Sequence, residues 1–277
     1  MSAIKIKSEF FNAKDTLECG QVFRYSESGG VYTVYSLNKV AKIYTNNDYT
    51  YIETDNADYF ASYFDLKTDY NLIFNKILGV NNPFITNVAQ LAKGIRILKQ
   101  DVTETAFSFI ISQNNNIKRI QSTIEKLCAN LGEKTVKNGV EFYAFPSVKS
   151  LASASLEFYK SIGLGYRAEY VKGFAEMLNG GYNLEDLRAL STAQITNELL
   201  KVKGIGKKVA DCITLFGYSK TDSFPVDTWI EKIYIQNLNG TQKDRVKISN
   251  ELTSKFGTLS GYVQQYVFYY KRSLENK

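Results

Sequence analysis

Two glycines separated by one apolar residue, Gly204-Ile205-Gly206, stand between two stretches whose apolar residues recur at helical spacing, and no other feature limits the path of this chain so sharply. Glycine tolerates a tight turn, and a turn between two helices leaves backbone amides pointing outward at the start of the second, where they attract phosphate. The second helix is expected from about Gly206 to Phe216, because Val209, Cys212, Ile213 and Phe216 fall at i, i+3, i+4 and i+7 and form one buried stripe. Lys207 and Lys208 sit in its first turn. There the macrodipole opposes a cation and the two ammonium groups repel each other, so Lys208 is driven toward the neutral amine, which is a nucleophile. Downstream, Gly217 ends the helix, Pro225 fixes the returning chain, and Asp227 is placed to cap a helix beginning at Thr228. The chain has doubled back by then, which allows Lys208 and Asp227 to face one cleft. Two readings stay open here. Gly204, Gly206 and Lys207 form a clamp on phosphates with both lysines solvated, or the hairpin is a platform that presents an amine.

Composition narrows the chemistry. The chain contains no histidine, which excludes His-based triads, His metal sites and His general bases together and argues against zinc. Cys19, Cys128 and Cys212 are far apart and odd in number, so neither a disulfide framework nor an iron–sulfur cluster is legible, and neither a cofactor nor a catalytic metal is expected. A net charge of +6 with 14% aromatic residues favours a polyanionic partner. The N-terminal MSAIKIKSEFFNAKD lacks the apolar region of a signal peptide and no apolar run reaches membrane-span length, so the expectation is a soluble cytoplasmic protein, nucleoid-associated in a bacterium.

Taken in order, residues from Gly20 to Glu53 alternate as strands: QVFRY, a Gly29-Gly30 turn, VYTVYSL, VAKIYT, an NND turn and YTYIET, which reads as an antiparallel meander. From Ala57 the period becomes helical, through DYFASYF, YNLIFNKIL and a segment after Pro83, and the rest of the chain reads as almost wholly helical. A helix from Thr103 to Ile111 is expected to be central. It ends at Gln113-Asn114-Asn115-Asn116, which suits a capped turn or an exposed turn touching a polar ligand. A further helix should run from Ile117 to Leu131, carrying Lys118 and Arg119. Tyr166 and Arg167 lie at another turn into a helix, as a packed ring with a solvated arginine or as a stacking wedge. The last helices are expected over Asp244 to Lys255 and Ser260 to Lys271. The expected fold is therefore α+β, with a small N-terminal antiparallel β-sheet subdomain (residues 1–95, including helices) packed on a mostly α-helical part (96–277).

The run VKGIGKKVADCITLFGYSKTDSFPVD, residues 202–227, resembles the helix–hairpin–helix signature of base-excision DNA glycosylases with its following loop and aspartate. Four more stretches, ECGQVFRY, FSFIISQNNNIKRI, GLGYRAEYV and GYVQQYVF, occur in the order found in 8-oxoguanine DNA glycosylases, and the five matches are scattered over nearly the whole chain. The resemblance implies a bifunctional glycosylase and AP lyase acting on duplex DNA that contains 8-oxoguanine, preferably opposite cytosine, as a monomer. By resemblance Lys208 is the nucleophile and Asp227 its essential partner, ionised at its helix cap and stabilising charge on the sugar. Gly20 would inherit the backbone contact that distinguishes the lesion, Gln264 the reading of the Watson–Crick edge, and Phe268 and Cys212 the two faces of the extruded base. Asn114 and Tyr166 match the plug and wedge, and Arg119 and Arg167 the pair that reads the orphaned cytosine. Trp229 departs from the pattern, since eukaryotic members usually carry a phosphate-contacting histidine there. Two rivals stand beside this reading: a monofunctional alkylpurine DNA glycosylase, which lacks the lysine, and a non-catalytic DNA-binding module.

Overall fold

The computed structural model describes residues 2–275, so Met1, Asn276 and Lys277, the outermost residues of the two expected parts, lie outside it. Five antiparallel strands form one sheet: β1 (Ser2–Lys7), β2 (Tyr25–Ser28), β3 (Val31–Ser36), β4 (Lys39–Asn46) and β5 (Tyr49–Thr54), in the order β1-β5-β4-β3-β2. The turns behave as their residues dictate: Gly29 and Gly30 take φ of +59° and +82°, and Asn47 takes +52°. Along β3 and β5 every second residue is buried, and Val34, Ile43 and Ile52 face inward with Leu17 of the Ala13–Glu18 helix and with Phe60 and Phe64 of the Ala57–Tyr63 helix and its C-cap. The meander differs from the expected one in two ways: QVFRY is not a strand, since residues 21–24 are irregular and β2 begins only at Tyr25, and an edge strand is added. β1 pairs with β5 in the register Ile4↔Ile52 and Ile6↔Thr50, so the first strand of the sheet comes from a segment read only for its lack of a signal sequence.

The remainder is helical with one exception. β6 (Lys134–Lys137) and β7 (Val140–Tyr143) form a hairpin around Asn138 and Gly139, both with positive φ, which corrects the expectation of an almost wholly helical remainder. Asn-Gly is the strongest short hairpin signal, and here it was embedded in a polar stretch. Phe142 of β7 lies against Tyr35 of β3, with centroids 5.2 Å apart, so the hairpin extends the sheet's contact with the helices.

The Val102–Ser112 helix is buried on nearly every side, as its all-round apolar sequence requires, and forms the axis of the larger core with Phe107, Ile110, Ile124, Phe174, Leu199 and Ile213. The helices Tyr70–Leu78 and Pro83–Leu91 also pack into this larger core. One polar staple joins sheet and helices. Arg24 donates to Glu104 at 3.1 Å and to the Tyr143 carbonyl at 2.6 Å, while the Leu37 N–H donates to the other Glu104 oxygen at 2.7 Å. Both charged side chains are buried. Among the described residues no helix is long and apolar enough to cross a membrane.

Candidate active site

The hairpin is built as its glycines suggest, but they are not equivalent. The Thr192–Leu200 helix begins with a capping box between Ser191 and Gln194 and ends at Lys201. Gly204 follows with φ of +91°, and a Cβ there would stand 2.3 Å from Cγ of Tyr170, so both the backbone and the neighbouring ring exclude a side chain. Gly206 has φ of −89°, open to any residue, and caps the Lys207–Phe216 helix without a side chain, which leaves the first amides of that helix without a cap.

The two lysines of the first turn differ in a way that spacing could not show. Lys207, expected among the phosphate ligands of the hairpin, places Nζ 2.6 Å from each oxygen of Asp211, and Ser249 joins them from the Arg245–Phe256 helix. Burial raises the Asp211 carboxyl to about 6, and Lys207 pulls it back down. The Lys207 charge is therefore matched within its own helix, and repulsion by Lys207 is no longer an argument for a neutral Lys208. Nor are both lysines solvated, as the clamp reading supposed.

Lys208 stands outside that ion pair. It lines a cleft of about 1130 Å³, as do Lys207, Asp211 and Ser249, and its Nζ stands 5.1 Å from the centre of the Phe109 ring, within cation–π range. Asp227 lines the same cleft from the far side of the returning loop and caps the Thr228–Asn237 helix, its Oδ1 accepting from the N–H groups of Trp229 at 3.0 Å and Ile230 at 2.9 Å. The doubled-back chain thus brings the amine and the carboxylate to one opening. Phe109, read from sequence only as a core residue, is a wall of that opening.

Gly20 and Phe268 line the same cleft. Gly20 has φ of +82°, and a Cβ there would lie 3.1 Å from Cε1 of Phe268, so the ring of the last helix, Ser260–Glu275, comes close to bare backbone. Gln265, which sequence reasoning passed over, fixes that approach by donating to the Cys19 carbonyl at 2.8 Å. Cys212 and Gln264, expected at the extruded base, are not among the residues that line the cleft and are buried, 3% and 5% exposed. Burial pushes the Cys212 thiol up to about 11, with the Lys208 ammonium pulling it down. The Gln264 Oε1 is buried with no hydrogen-bond partner among the described residues, an arrangement that costs about 1–3 kcal/mol unless something supplies a donor.

The polar loop after the central helix forms the rim. Asn114 is exposed with φ of +46° and lines the cleft, as does Tyr166, which is 53% exposed. Arg119 is exposed and reaches the Gly163 carbonyl at 3.3 Å. Arg167, by contrast, is 5% exposed. Its guanidinium donates to the carbonyls of Gln113, Asn114 and Leu164 and lies over the Tyr166 ring at 4.6 Å, so in this structure it braces the loop instead of standing solvated. Gln113 in turn donates to the Gly204 carbonyl at 2.8 Å. Among the described residues no three His, Cys, Asp or Glu side chains come together to hold a metal ion.

Comparison with known proteins places this geometry. Residues 3–106 match the family model of the 8-oxoguanine DNA glycosylase N-terminal domain, and residues 107–257 that of the HhH-GPD superfamily base excision DNA repair proteins. The N-glycosylase/DNA lyase OGG1 of Arabidopsis thaliana is 33% identical over 68% of this chain, which spans about half (54%) of the plant protein's length. The crystal structure of the Clostridium acetobutylicum 8-oxoguanine glycosylase/lyase, in complex with dsDNA containing cytosine opposite to 8-oxoG, is 34% identical and superposes with a TM-score of 0.91 over 99% of each chain. MBOgg1, in complex with a low-affinity DNA ligand, gives a TM-score of 0.92 at 34% identity, over 99% of this chain and 97% of that one. The chain therefore belongs to the HhH-GPD superfamily of base excision DNA repair proteins, in its 8-oxoguanine DNA glycosylase branch.

Proposed function

We propose that the chain is a DNA N-glycosylase and AP lyase that acts as a monomer on duplex DNA, extruding 8-oxoguanine, opposite cytosine in preference, and excising it with Lys208 as nucleophile. One observation carries this reading: Lys208 and Asp227, on two different helices, line one cleft together with Gly20 and Phe268. Turning the nucleotide out of the duplex costs a few kcal/mol, which Asn114 and Tyr166 at the rim offset by filling the vacated stack, while Arg119 bonds the orphaned cytosine, joined by Arg167 once its guanidinium leaves the loop carbonyls that hold it in this structure. Phe268 stacks on one face of the base and Cys212 lies toward the other. The lesion's N7 carries a hydrogen where guanine's N7 carries a lone pair, so a carbonyl acceptor at Gly20 favours the lesion and repels the normal base. The unpartnered Oε1 of Gln264 supports a role for that carboxamide at the Watson–Crick edge.

The chemistry follows from an amine beside a carboxylate. As the bond from C1′ to the base nitrogen breaks, its electron pair leaves with the base, which takes up a proton. The Lys208 nitrogen bonds to C1′ and loses a proton. The Asp227 carboxylate stabilises the positive charge that develops on the sugar. The nitrogen lone pair then forms a protonated imine as the C1′–O4′ bond opens, its electron pair going to O4′, which takes up a proton, and the imine acidifies the C2′ hydrogen. Loss of that proton and cleavage of the C3′–O bond nick the strand.

Borohydride trapping tests the assignment. Wild type and Lys207→Gln should form a covalent adduct with an 8-oxoguanine duplex, and Lys208→Gln should not. An adduct with Lys208→Gln but none with Lys207→Gln would move the nucleophile to Lys207. Release of 3-methyladenine without any adduct would favour the alkylpurine rival, and binding without release the module.

A further inference from the structure

Trp229 is the single tryptophan of the chain, and nothing in the chemistry above uses it. Its backbone is fixed by the cleft's own carboxylate, through the bond from its N–H to Asp227 Oδ1. Its ring lies on Phe268, with centroids 5.4 Å apart and planes 29° from parallel. Both rings line the cleft, and Trp229 is only half-buried. A centroid separation of 5.4 Å is already within the range of two stacked rings, so no third ring fits between them. The pair instead forms one stack, with Phe268 against Gly20, and a further ring can join it only on an outer face.

We infer that Trp229 is a positioning residue for base stacking: it backs Phe268 in a two-ring stack, and the extruded purine joins that stack on the outer face of Phe268. A planar purine gains from such a stack whatever its hydrogen-bonding edge, because stacking uses only the face of the base. The helix cap holds Trp229 next to the group that attends the sugar, so base and sugar are positioned from one short segment, 227–229. This inference rests on the functional reading above. Trp229 gives Phe268 an uncharged support that does not depend on phosphate.

Because Trp229 has no fluorescent rival of its own kind, its emission reports directly on the stack. The Lys208→Gln protein is titrated with three duplexes, carrying 8-oxoguanine, a stable abasic analogue, or undamaged DNA. Quenching should be largest with 8-oxoguanine and small with the abasic analogue, which offers no base to stack. Without the Lys208 change, Trp229→Ala should weaken binding of the 8-oxoguanine duplex and raise KM by roughly tenfold or more, and Trp229→Phe should retain most of the wild-type values. Binding of the abasic duplex should change little in either variant, which also shows that both have folded. Equal quenching by the lesion and abasic duplexes would overturn the inference. So would tighter binding or faster excision by Trp229→Ala, since that is the behaviour of a residue blocking the slot. A wild-type protein that releases no 8-oxoguanine overturns the functional reading and this inference with it. Release by wild type together with an unaffected Trp229→Ala overturns the inference alone.

Discussion

Asp227 caps a helix, and in the proposed function it also stabilises charge on the sugar, two roles that a pair of substitutions can separate. One carboxylate oxygen accepts both the Trp229 and the Ile230 N–H, at 3.0 and 2.9 Å, and satisfies two of the donors that every helix start leaves open. Removing such a cap costs about 1 kcal/mol, within a range of about 0.5–2 kcal/mol. For a chain of 277 residues the unfolding entropy scales to about 0.6 kcal/mol per degree, so Asp227→Ala should lower Tm by roughly 2 °C. Asparagine caps a helix as well as aspartate does but carries no charge, so Asp227→Asn should melt within about a degree of wild type. Its excision rate should nonetheless fall by roughly a hundredfold or more, as happens when one group aimed at developing charge is lost. Thermal denaturation by circular dichroism gives the first quantity and single-turnover release of 8-oxoguanine the second. If Asp227→Asn melts as low as Asp227→Ala, the cap works through charge and the helix dipole, not through its hydrogen bonds. If Asp227→Asn excises at the wild-type rate, the electrostatic role given to this carboxylate is wrong.

Other substitutions probe the frame around the site. Glu104→Ala strands the Arg24 guanidinium in the core and should cost about 3–5 kcal/mol by urea denaturation, whereas Arg24→Met with Glu104→Leu should recover most of that loss; a double variant no better than the single would show that the pair is not the staple. Gly204→Ala places a Cβ 2.3 Å from the Tyr170 ring at a φ of +91° and should destabilise by at least about 2 kcal/mol, so an unchanged Tm would mean that the hairpin has another conformation. Asp211, raised from 3.8 to about 6, is more readily protonated folded than unfolded. Its contribution therefore favours folding most below about pH 4 and is lost as pH rises through about 6, a change of order 3 kcal/mol. The stability of Asp211→Asn should lack that decline, and parallel curves for wild type and variant between about pH 4 and pH 7 would exclude it.

Local rules that act over a few residues made most of the architecture legible. The cap at Asp227, the helix at Ile117–Leu131 and the turns at Gly29-Gly30 and Asn47 all depend on groups within four positions of one another. β1 escaped because alternation over so short a run, Ile4 and Ile6 between lysines, is stabilised only by β5 more than forty residues away. The meeting of Lys208 with Asp227 was legible because glycine and proline constrain the path between them. The partners of the arginines and of Lys207 were not. An Arg at a turn into a helix is usually solvated, and only the fold brings three loop carbonyls to Arg167. A lysine beside a lysine suggests repulsion until Asp211, one turn on, is seen to be buried and to hold the nearer one. Composition could not supply Gln265 or Phe109 either, because each acts on the cleft through a contact far away in sequence.

The rim of the cleft is a single mechanical unit, and this bears on how the site can work. Tyr166 lies under the Arg167 guanidinium, Arg167 holds the carbonyls of Gln113 and Asn114, Gln113 holds the Gly204 carbonyl, and Tyr170 presses on Gly204 from the other side. The exposed loop, the tyrosine helix and the hairpin are therefore joined by a closed chain of contacts, most of them to backbone carbonyls. Backbone carbonyls cannot rotate away as side chains do, so a displacement of one element strains the other two. The hairpin leads directly into Lys208, and the loop carries Asn114. The position of the Lys208 amine is thus tied to the framework that positions the rim, and under the proposed function release of Arg167 toward an orphaned cytosine would loosen the loop and the hairpin together.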